Sequence, residues 1–240
     1  MTDSVAYRPA PHASPDGGTG LRTSVLIPVH NGSDSLPGIL KALAPLPVDV
    51  WVSDDGSTDG TADVARAGGA RAISFPVKSG KGAAMRRGIA AISKEEPAYD
   101  WVLFMDGDGQ HLPGEVPAFL EEIGSAYDFL QGSRWRESER IPRARAWTNR
   151  IGSRVLAWFS GQHIPDTQCG FRAVRLSLLK RLRLESAGFE IETEILLKSL
   201  RAGARAGIID ITAVYGEQGS HFRPVHDTFR ICMAGLRYAR

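Results

Sequence analysis

The segment DWVLFMDGDGQH (residues 100–111) joins a short apolar run to a loop with two aspartates and two glycines. An apolar run of this length, bounded by turn-forming residues, is typical of a buried strand. Three upstream segments share the pattern: TSVLIPV (23–29), VDVWVSD (48–54) and ARAISF (70–75). Helix-compatible stretches separate the four segments, at 35–44, 58–67 and 81–95. Strands that alternate with helices predict an α/β fold, a Rossmann-like and mostly parallel sheet with helices on both faces.

Each of the four predicted strands leads into a polar loop that contains glycine. The loops read HNGS after the first strand, DDGSTDGT at the second, KSGKG after the third and DGDGQH at the fourth. Ligands of parallel α/β sheets bind beyond the carboxyl ends of the strands. Four such loops therefore predict one ligand-binding edge of the sheet.

Two carboxylates in the fourth loop indicate a cation site. Asp106 and Asp108 point the same way if strand geometry continues, and their mutual repulsion favours a divalent cation between them. Oxygen ligands favour Mg²⁺ or Mn²⁺ over zinc, and Gln110 offers a third oxygen. A calcium-binding EF-hand loop is excluded because His111 and Pro117 stand where Gly and Glu are required. For this motif alone, two solvated turn aspartates are the alternative.

Length, composition and charge limit the function classes. A chain of 240 residues with 42% hydrophobic and 23% charged residues is typical of one soluble globular domain. Residues 1–132 contain 10 basic and 17 acidic residues, whereas residues 133–240 contain 19 and 10. This asymmetry predicts a cation site in the first part and an anionic partner in the second, although scattered solvated faces would also produce it. We expect no membrane span, because no apolar run reaches ~20 residues. We also expect no nucleic-acid partner.

The second half of the chain predicts further elements. Amphipathic helices are expected at 142–160 and 225–240, turns at 160–172, a helix at 190–203 and a strand at 206–214. QGSRW (131–135) is interpreted as the end of a strand, with Arg134 lining the binding edge. The amphipathic stretches fit either peripheral contact with an anionic membrane or core and homodimer packing. Cys169 and Cys232 form no metal-ligand spacing, which favours a reducing, cytoplasmic compartment.

Four motifs occur in the order IPVHNG (27–32), DDGSTDGT (54–61), GKGAA (80–84) and DGDGQH (106–111). In order and spacing they resemble the glycosyltransferase family 2 enzymes of GT-A fold, and the resemblance runs from Thr23 to Asp227. It implies a metal site at Asp106, Asp108 and Gln110, where Mg²⁺ or Mn²⁺ bridges the diphosphate of a UDP- or GDP-hexose. The residues that it implies for nucleotide-sugar binding are Pro28, His30, Asn31, Asp54, Asp55, Lys81 and Asp106, with Asp54 and Asp55 holding the base and ribose.

Three later segments, DTQCGFRAV (166–174), GFEIETEIL (188–196) and YGEQGSHFRPVHD (215–227), resemble the polyprenyl- and dolichyl-phosphate sugar transferases. This resemblance implies an inverting transfer to a lipid phosphate at the cytosolic membrane face. A guanidinium can donate two parallel hydrogen bonds to phosphate, and the expected acceptor-phosphate residues are Arg134, Arg172 and Arg223. The expected catalytic residues are Asp108, Asp166 and Arg134, with Asp166 as an acceptor-side or base residue.

The Pro, Gly, Ser and Thr content of residues 1–22 and the family resemblance together predict a domain organisation. Residues 1–22 are expected to form a disordered tail, 23–225 the GT-A domain and 226–240 a C-terminal amphipathic helix. Within the domain, 23–132 form the nucleotide-sugar half and 133–225 the acceptor half.

Several residues have less specific patterns. Glu192 or Glu194 contacts the sugar or lies on a solvated face, and His111 supports the site or is exposed. Cys169 is expected to be a packed thiol.

Two alternative functions remain open. A lipid or small-molecule hydroxyl acceptor would need a general base, which would give Asp166 a larger role. A non-catalytic nucleotide-binding scaffold would keep the fold without the chemistry, although intact Asp55, Asp106 and Asp108 argue against it. A nicotinamide dehydrogenase fits poorly, because IPVHNG stands where the glycine-rich fingerprint would follow the first strand.

Overall fold

The structure is a computed structural model and describes residues 20–134, 164, 166–167 and 169–212. The helices predicted at 142–160 and 225–240, and the acceptor-phosphate residue Arg223, lie outside these residues. The described chain starts within the predicted 1–22 tail, where Arg22 Nη2 already contacts Asp49 Oδ2 at 3.1 Å.

The described residues contain seven strands and six α-helices. The strands are β1 (Thr23–Val29), β2 (Asp49–Asp54), β3 (Arg71–Ser74), β4 (Trp101–Phe104), β5 (Phe129–Ser133), β6 (Arg172–Arg175) and β7 (Ala206–Asp210). The helices are α1 (Leu36–Leu43), α2 (Thr61–Ala67), α3 (Lys81–Ile92), α4 (Val116–Glu122), α5 (Leu176–Leu179) and α6 (Ile191–Arg201). In this part of the chain, no helix combines the length and the apolar character needed to cross a bilayer.

The strands form one sheet in the order β3-β2-β1-β4-β6-β5-β7. Neighbouring strands are parallel except that β6 runs antiparallel to both β4 and β5. The predicted α/β class with a mostly parallel sheet is therefore confirmed. Because β6 runs in the opposite direction, it begins at the edge where its neighbours end. The residues just before Arg172 therefore meet the loops that follow the parallel strands.

Helices cover both faces of the sheet, which explains the uninterrupted apolar character of β1. Leu26 packs in one apolar cluster with Met85 of α3. Val25 and Ile27 belong to the cluster on the other face. Successive side chains of a strand point to opposite faces, so a central strand needs apolar residues at every position. Gly88 lets α3 approach β1 closely, since a Cβ there would lie 2.5 Å from Leu26 Cδ1.

The predicted elements before β5 are present, the first strand with its predicted bounds and the others with shorter ones, whereas α4, α5 and β6 have no predicted counterpart. The strand predicted at 206–214 ends at Asp210, and the helix predicted at 58–67 begins at Thr61. The turn prediction for 160–172 is wrong at its last residue, where β6 begins. Four residues are too few to show a periodic pattern, and β6 is defined by its pairing with β4 and β5. The interpretation of 131–135 as a strand end is confirmed, because β5 ends at Ser133.

Candidate active site

Asp54, predicted to hold the nucleoside, ends β2 and is only 1% exposed. Its Oδ1 accepts the main-chain N–H of Ser57 at 2.9 Å, and its Oδ2 accepts the Ser74 hydroxyl at 2.8 Å. The first bond folds the DDGS loop back onto its strand, and the second ties the loop to the end of β3. Both carboxylate oxygens therefore shape the loop.

Asp55 joins three strand ends. Its Oδ1 accepts the N–H of Ser79 at 2.8 Å and its Oδ2 accepts the N–H of Gly80 at 2.7 Å. The main-chain N–H of Asp55 donates to Val29 O at 2.8 Å. Hydrogen bonds to an ionised acceptor are among the stronger ones in proteins. Asp55 therefore fixes the KSGKG loop against the ends of β1 and β2.

The loop after β1 is locked to the same region. Asn31 has a φ of 54°, in the left-handed region that Asn tolerates better than most residues. Its N–H donates to Ser57 Oγ at 2.8 Å, and its Oδ1 accepts the N–H of Thr58 at 3.0 Å. His30 Nδ1 lies 3.0 Å from Asp55 O. The structure thus brings the predicted residues His30, Asn31, Asp54 and Asp55 together as one hydrogen-bonded wall.

The two remaining donor-side residues occupy different settings. Pro28 is buried inside β1, opposite Ser53 of β2, so it contributes to the sheet below the loop. Lys81 begins α3 and projects into the edge, where its Nζ lies 2.5 Å from Asp106 Oδ1 and 2.5 Å from Glu192 Oε1. The structure therefore places Lys81 among the site carboxylates.

Glycines in the KSGKG loop explain how α6 comes so close to α3. Gly80 has a φ of 100°, which an L side chain rarely adopts. A Cβ at Gly82 would lie 2.5 Å from Ser186 O. The N–H groups of Gly82 and Ala83 both donate to Ala187 O, at 2.8 and 3.2 Å. The loop before α6 therefore packs directly on the start of α3, which brings Glu192 of α6 to Lys81.

The fourth loop is held by His111. The main-chain N–H of Asp106 donates to His111 Nδ1 at 3.1 Å, and the imidazole stacks on Phe171 with ring centroids 5.1 Å apart. Burial lowers the pKa of His111 despite the nearby Asp106 carboxylate. A neutral imidazole can accept this hydrogen bond at Nδ1, whereas an imidazolium cannot. His111 is thus a buried support of the site, and the exposed alternative is wrong.

Charges around Asp106 are closely balanced. Burial alone would raise the pKa of Asp106, but the Lys81 ammonium, with further positive charge from Arg172, lowers it to about 2. Burial would likewise lower the pKa of Lys81, but Asp106 and Glu192 raise it above its ordinary value. The pair is therefore ionised at neutral pH, with one ammonium between two carboxylates.

The predicted cation ligands fit a hard divalent ion. Asp108 is exposed, and its Oδ1 accepts the N–H of Gln110 at 3.0 Å, which turns the loop beside Asp106. A Cβ at Gly170 would lie 2.8 Å from Asp106 Oδ2, so only glycine leaves this carboxylate space. Two carboxylates and one amide supply the oxygen ligands that Mg²⁺ and Mn²⁺ prefer. The Lys81 contact shows independently that Asp106 faces positive charge. Among the described residues, no three His, Cys, Asp or Glu side chains converge on one cation position.

Arg134 and Asp166 meet at the same edge, although 32 residues separate them. Arg134 Nε donates to Asp166 Oδ2 at 2.7 Å, and Nη2 donates to Oδ1 at 3.0 Å. Asp166 is 1% exposed, so this pair is enclosed by the protein. Both carboxylate oxygens are therefore engaged by the planar guanidinium in a two-point contact.

Arg172 differs from its prediction as an acceptor-phosphate residue. It is 0% exposed in β6, and its Nη1 and Nη2 donate to the main-chain carbonyls of Glu192 (2.6 Å) and Cys169 (2.5 Å). Within the described residues its Nε has no hydrogen-bond partner. The residue belongs to the protein interior, because its guanidinium is enclosed between the main chain at Cys169 and the start of α6. We therefore assign Arg172 to the support of the site carboxylates; the third predicted arginine, Arg223, lies outside the described residues.

The solvated alternative for Glu192 and Glu194 is wrong. Glu192 is 9% exposed and contacts Lys81 as described, while its Oε2 lies 3.8 Å from Arg172 Nη2. Glu194 is 0% exposed, and its carboxylate accepts the N–H groups of Glu185 (2.9 Å) and Ser186 (2.8 Å). Positions two apart on a helix face different directions, so the two acids have different roles. The partners of Glu192 lie on elements distant in the sequence, so local patterns do not define its role.

Cys169 agrees with its prediction as a packed thiol. It is 0% exposed, and its Sγ lies 3.8 Å from Phe171 O. Burial raises the pKa of the thiol to about 12, so the nucleophilic thiolate is absent at neutral pH.

Comparison with known sequences identifies similar proteins. A family model described as Glycosyl transferase family 2 matches residues 24–183. The undecaprenyl-phosphate mannosyltransferase of Micrococcus luteus is 32% identical over 213 residues, which cover 83% of this chain and 86% of that protein. The polyprenol monophosphomannose synthase of Mycolicibacterium smegmatis is 29% identical over 216 residues, covering 82% and 79%.

A solved structure supports the fold. Glucosyl-3-phosphoglycerate synthase from Mycobacterium tuberculosis, in complex with Mn²⁺, uridine diphosphate and phosphoglyceric acid, superimposes with a TM-score of 0.72 and 23% identity. The match covers 92% of this chain and 79% of that one. This likeness confirms the GT-A fold expected from the four motifs.

Proposed function

The chain belongs to glycosyl transferase family 2, and on this basis we propose that it moves a hexose from a nucleoside diphosphate sugar to a polyprenyl-type lipid phosphate, with inversion at the anomeric carbon. The names of two relatives, which specify undecaprenyl phosphate and polyprenol as the lipids, support this acceptor class. The same names make mannose the first sugar to test, from either a guanosine or a uridine diphosphate donor.

The donor side rests on the hydrogen-bonded wall and the fourth loop. His30, Asn31, Asp54 and Asp55 form a rigid surface at the ends of β1 and β2, and we assign the nucleoside to it. Asp106, Asp108 and Gln110 would hold the Mg²⁺ or Mn²⁺. When bound, the cation supplies positive charge that stabilises the departing diphosphate. Lys81 adds a second positive charge beside Asp106.

The observation that favours a phosphate acceptor is the two-point contact between Arg134 and Asp166. Both oxygens of this 1% exposed carboxylate are engaged by the guanidinium. A hydroxyl acceptor would need a carboxylate that takes up its proton. A lipid phosphate is already ionised and needs positioning more than deprotonation. Asp166 is therefore assigned to the orientation of Arg134, which we keep as the residue that would donate hydrogen bonds to the acceptor phosphate.

Peripheral contact with the cytosolic membrane face follows from this acceptor. A polyprenyl phosphate remains in the bilayer with its phosphate at the surface. The excess of basic residues in 133–240 suits an anionic lipid surface. Membrane flotation with anionic and neutral vesicles would measure this contact directly.

A transfer assay tests the proposed reaction. The full-length protein is incubated with radiolabelled GDP-mannose, UDP-glucose or other nucleoside diphosphate hexoses, with Mn²⁺ or Mg²⁺ and a short-chain polyprenyl phosphate. A matched reaction contains the corresponding neutral polyprenol. The proposal expects a lipid-linked sugar with the phosphate acceptor alone, and NMR of the product should show inverted anomeric configuration. Equal transfer to the polyprenol would favour the hydroxyl alternative, whereas donor binding without turnover on any acceptor would favour a scaffold.

A further inference from the structure

The Lys81 ammonium is shared between two carboxylates with different environments. Its Nζ lies 2.5 Å from Asp106 Oδ1 and 2.5 Å from Glu192 Oε1. The side chains of Lys81 and Glu192 are 14% and 12% exposed, whereas Asp106 is 27% exposed. The more accessible of the two carboxylates is therefore the one assigned to the cation.

A cation arriving at Asp106 must compete with this ammonium. Both carry positive charge and both use the same carboxylate, so the arrival of a divalent ion favours departure of Lys81 from Asp106. A partly buried ammonium without a counter-charge would be costly. Glu192 already contacts Lys81, so the ammonium keeps one ion pair when it loses the other.

Glu192 is held in place by groups that the cation would not disturb. The fully buried Arg172 donates from Nη1 to Glu192 O at 2.6 Å, and its Nη2 lies 3.8 Å from Glu192 Oε2. A Cβ at Gly170 would lie 2.9 Å from Glu192 Oε1, so the backbone of the neighbouring loop also packs against this carboxylate. The Glu192 carboxylate is therefore held in a position where it can remain paired with the Lys81 ammonium.

We propose that Glu192 is a positioning residue that sets the cation affinity of Asp106 by retaining Lys81. Asp106 exchanges the ammonium for the divalent ion, while Glu192 keeps Lys81 beside the site. The inference rests on the proposed role of Asp106 as a cation ligand. It adds that Glu192, by holding Lys81, controls how readily Asp106 exchanges the ammonium for the divalent ion. It requires the effect of Glu192 on cation binding to pass through Lys81.

Binding of Mn²⁺ alone, without nucleotide, tests the inference by a double-mutant cycle. The full-length wild type, Glu192→Gln, Lys81→Met and the double variant are titrated with Mn²⁺ by calorimetry, and free Mn²⁺ is measured by EPR. Glu192→Gln leaves Asp106 as the carboxylate that Lys81 contacts, so Mn²⁺ should bind roughly 10-fold more weakly. Lys81→Met should bind Mn²⁺ more tightly than wild type. In the Lys81→Met background, Glu192→Gln should change the affinity by less than about 3-fold.

Glu185→Gln is the charge control, because it removes a carboxylate that pairs with the exposed Arg183. It should bind Mn²⁺ like the wild type. Circular dichroism and thermal unfolding check that each variant folds; if Glu192→Gln does not, Lys81→Met alone remains decisive, since weaker binding by that variant contradicts the exchange. An equal effect of Glu192→Gln in both backgrounds overturns the inference while leaving the cation site intact. No Mn²⁺ binding by the wild type contradicts the proposed cation role itself.

Discussion

Two acidic pairs stand at strand ends of this sheet, and they are stabilised in different ways. Asp54 and Asp55 are 1% and 3% exposed, and their oxygens accept main-chain N–H groups and a hydroxyl from the surrounding loops. Asp106 instead contacts the Lys81 ammonium, and Asp108 is exposed with a hydrogen bond from Gln110. Neutral donors fix the first pair, whereas a cationic side chain compensates the charge of Asp106 in the second.

The two pairs therefore have different roles: the first holds the loops in place, and the second can exchange one cation for another. Asp54 and Asp55 cannot lose the N–H and hydroxyl groups that they accept without opening the loops, so the first pair defines the wall on which a nucleoside would rest. A carboxylate neutralised by a lysine can replace one cation by another without refolding. The second pair is therefore the one suited to a metal.

The largest expected effect comes from the exposed member of the second pair. Asp108→Asn should reduce sugar transfer roughly 1000-fold, because a ligand to the charge-stabilising cation is lost. Its melting temperature should stay near that of the wild type, since Asp108 is exposed. Glu121→Gln, which removes another exposed acid from this half of the chain, is the control for both measurements. If Asp108→Asn transferred sugar at the wild-type rate, the second pair would not be the metal-binding pair.

The first pair should respond in the opposite way. Asp55→Ala leaves the N–H groups of Ser79 and Gly80 without their acceptor, so the free energy of unfolding should fall by about 3 kcal/mol. Urea unfolding monitored by tryptophan fluorescence measures the loss, with Asp108→Ala expected to lose less than about 0.5 kcal/mol. If Asp55→Ala and Asp108→Ala destabilised the protein equally, the first pair would not have the structural role assigned to it.

Glu194 resembles Asp55, because its carboxylate also accepts two main-chain N–H groups, those of Glu185 and Ser186. Burial would raise the pKa of Glu194, but Lys198, the Ser186 hydroxyl and these N–H groups lower it below its ordinary value. A carboxyl group with a depressed folded-state pKa stabilises the fold above its unfolded pKa and loses that contribution as the pH falls. Glu194→Gln should therefore destabilise the protein by about 2 kcal/mol at pH 7.

The pH dependence provides the check on Glu194. The difference in unfolding free energy between wild type and Glu194→Gln should narrow as the pH falls below 4.5. Denaturant titrations at several pH values measure it. A difference that stays constant down to pH 3 would show that the ionised carboxylate is not what stabilises the loop.

A smaller effect is expected where the backbone borders the second pair. Gly170→Ala would place a methyl group 2.8 Å from Asp106 Oδ2 and 2.9 Å from Glu192 Oε1. The carboxylates must shift, so the Mn²⁺ dissociation constant should rise roughly 10-fold. Gly114→Ala is the matched control, because nothing lies within 4 Å of a Cβ at that position. Unchanged Mn²⁺ affinity in Gly170→Ala would mean that the carboxylates adjust freely.

The sequence predicts the parts of this structure that depend on local patterns. The apolar runs at 23–29 and 100–106 and the polar loops after them identify the strands and their shared edge, because each signal lies within a few residues. Strand β6 escapes prediction because its four residues become a strand through pairing with β4 and β5. The burial of the Arg172 guanidinium is likewise not visible in the sequence, because packing brings it to the main-chain carbonyls of Cys169 and Glu192.

Long-range contacts also limit what the sequence can predict about the site. Lys81 and Glu192 are 111 residues apart, and their contact depends on α3 and α6 meeting through the loop at 186–188. The sequence predicts Arg134 and Asp166 as site residues but not their mutual pairing, and that pairing changes the role assigned to Asp166. Residue type and spacing thus predict which groups reach the edge, whereas packing decides which of them contact one another.

Anomalous scattering from crystals soaked with Mn²⁺ and a nucleoside diphosphate sugar would locate the cation and show whether Asp106 binds it. We expect a manganese peak in contact with Asp106, Asp108 and the donor diphosphate, with the Lys81 ammonium withdrawn from Asp106 and still on Glu192. A donor bound with its diphosphate elsewhere, and no manganese at Asp106, would contradict this expectation.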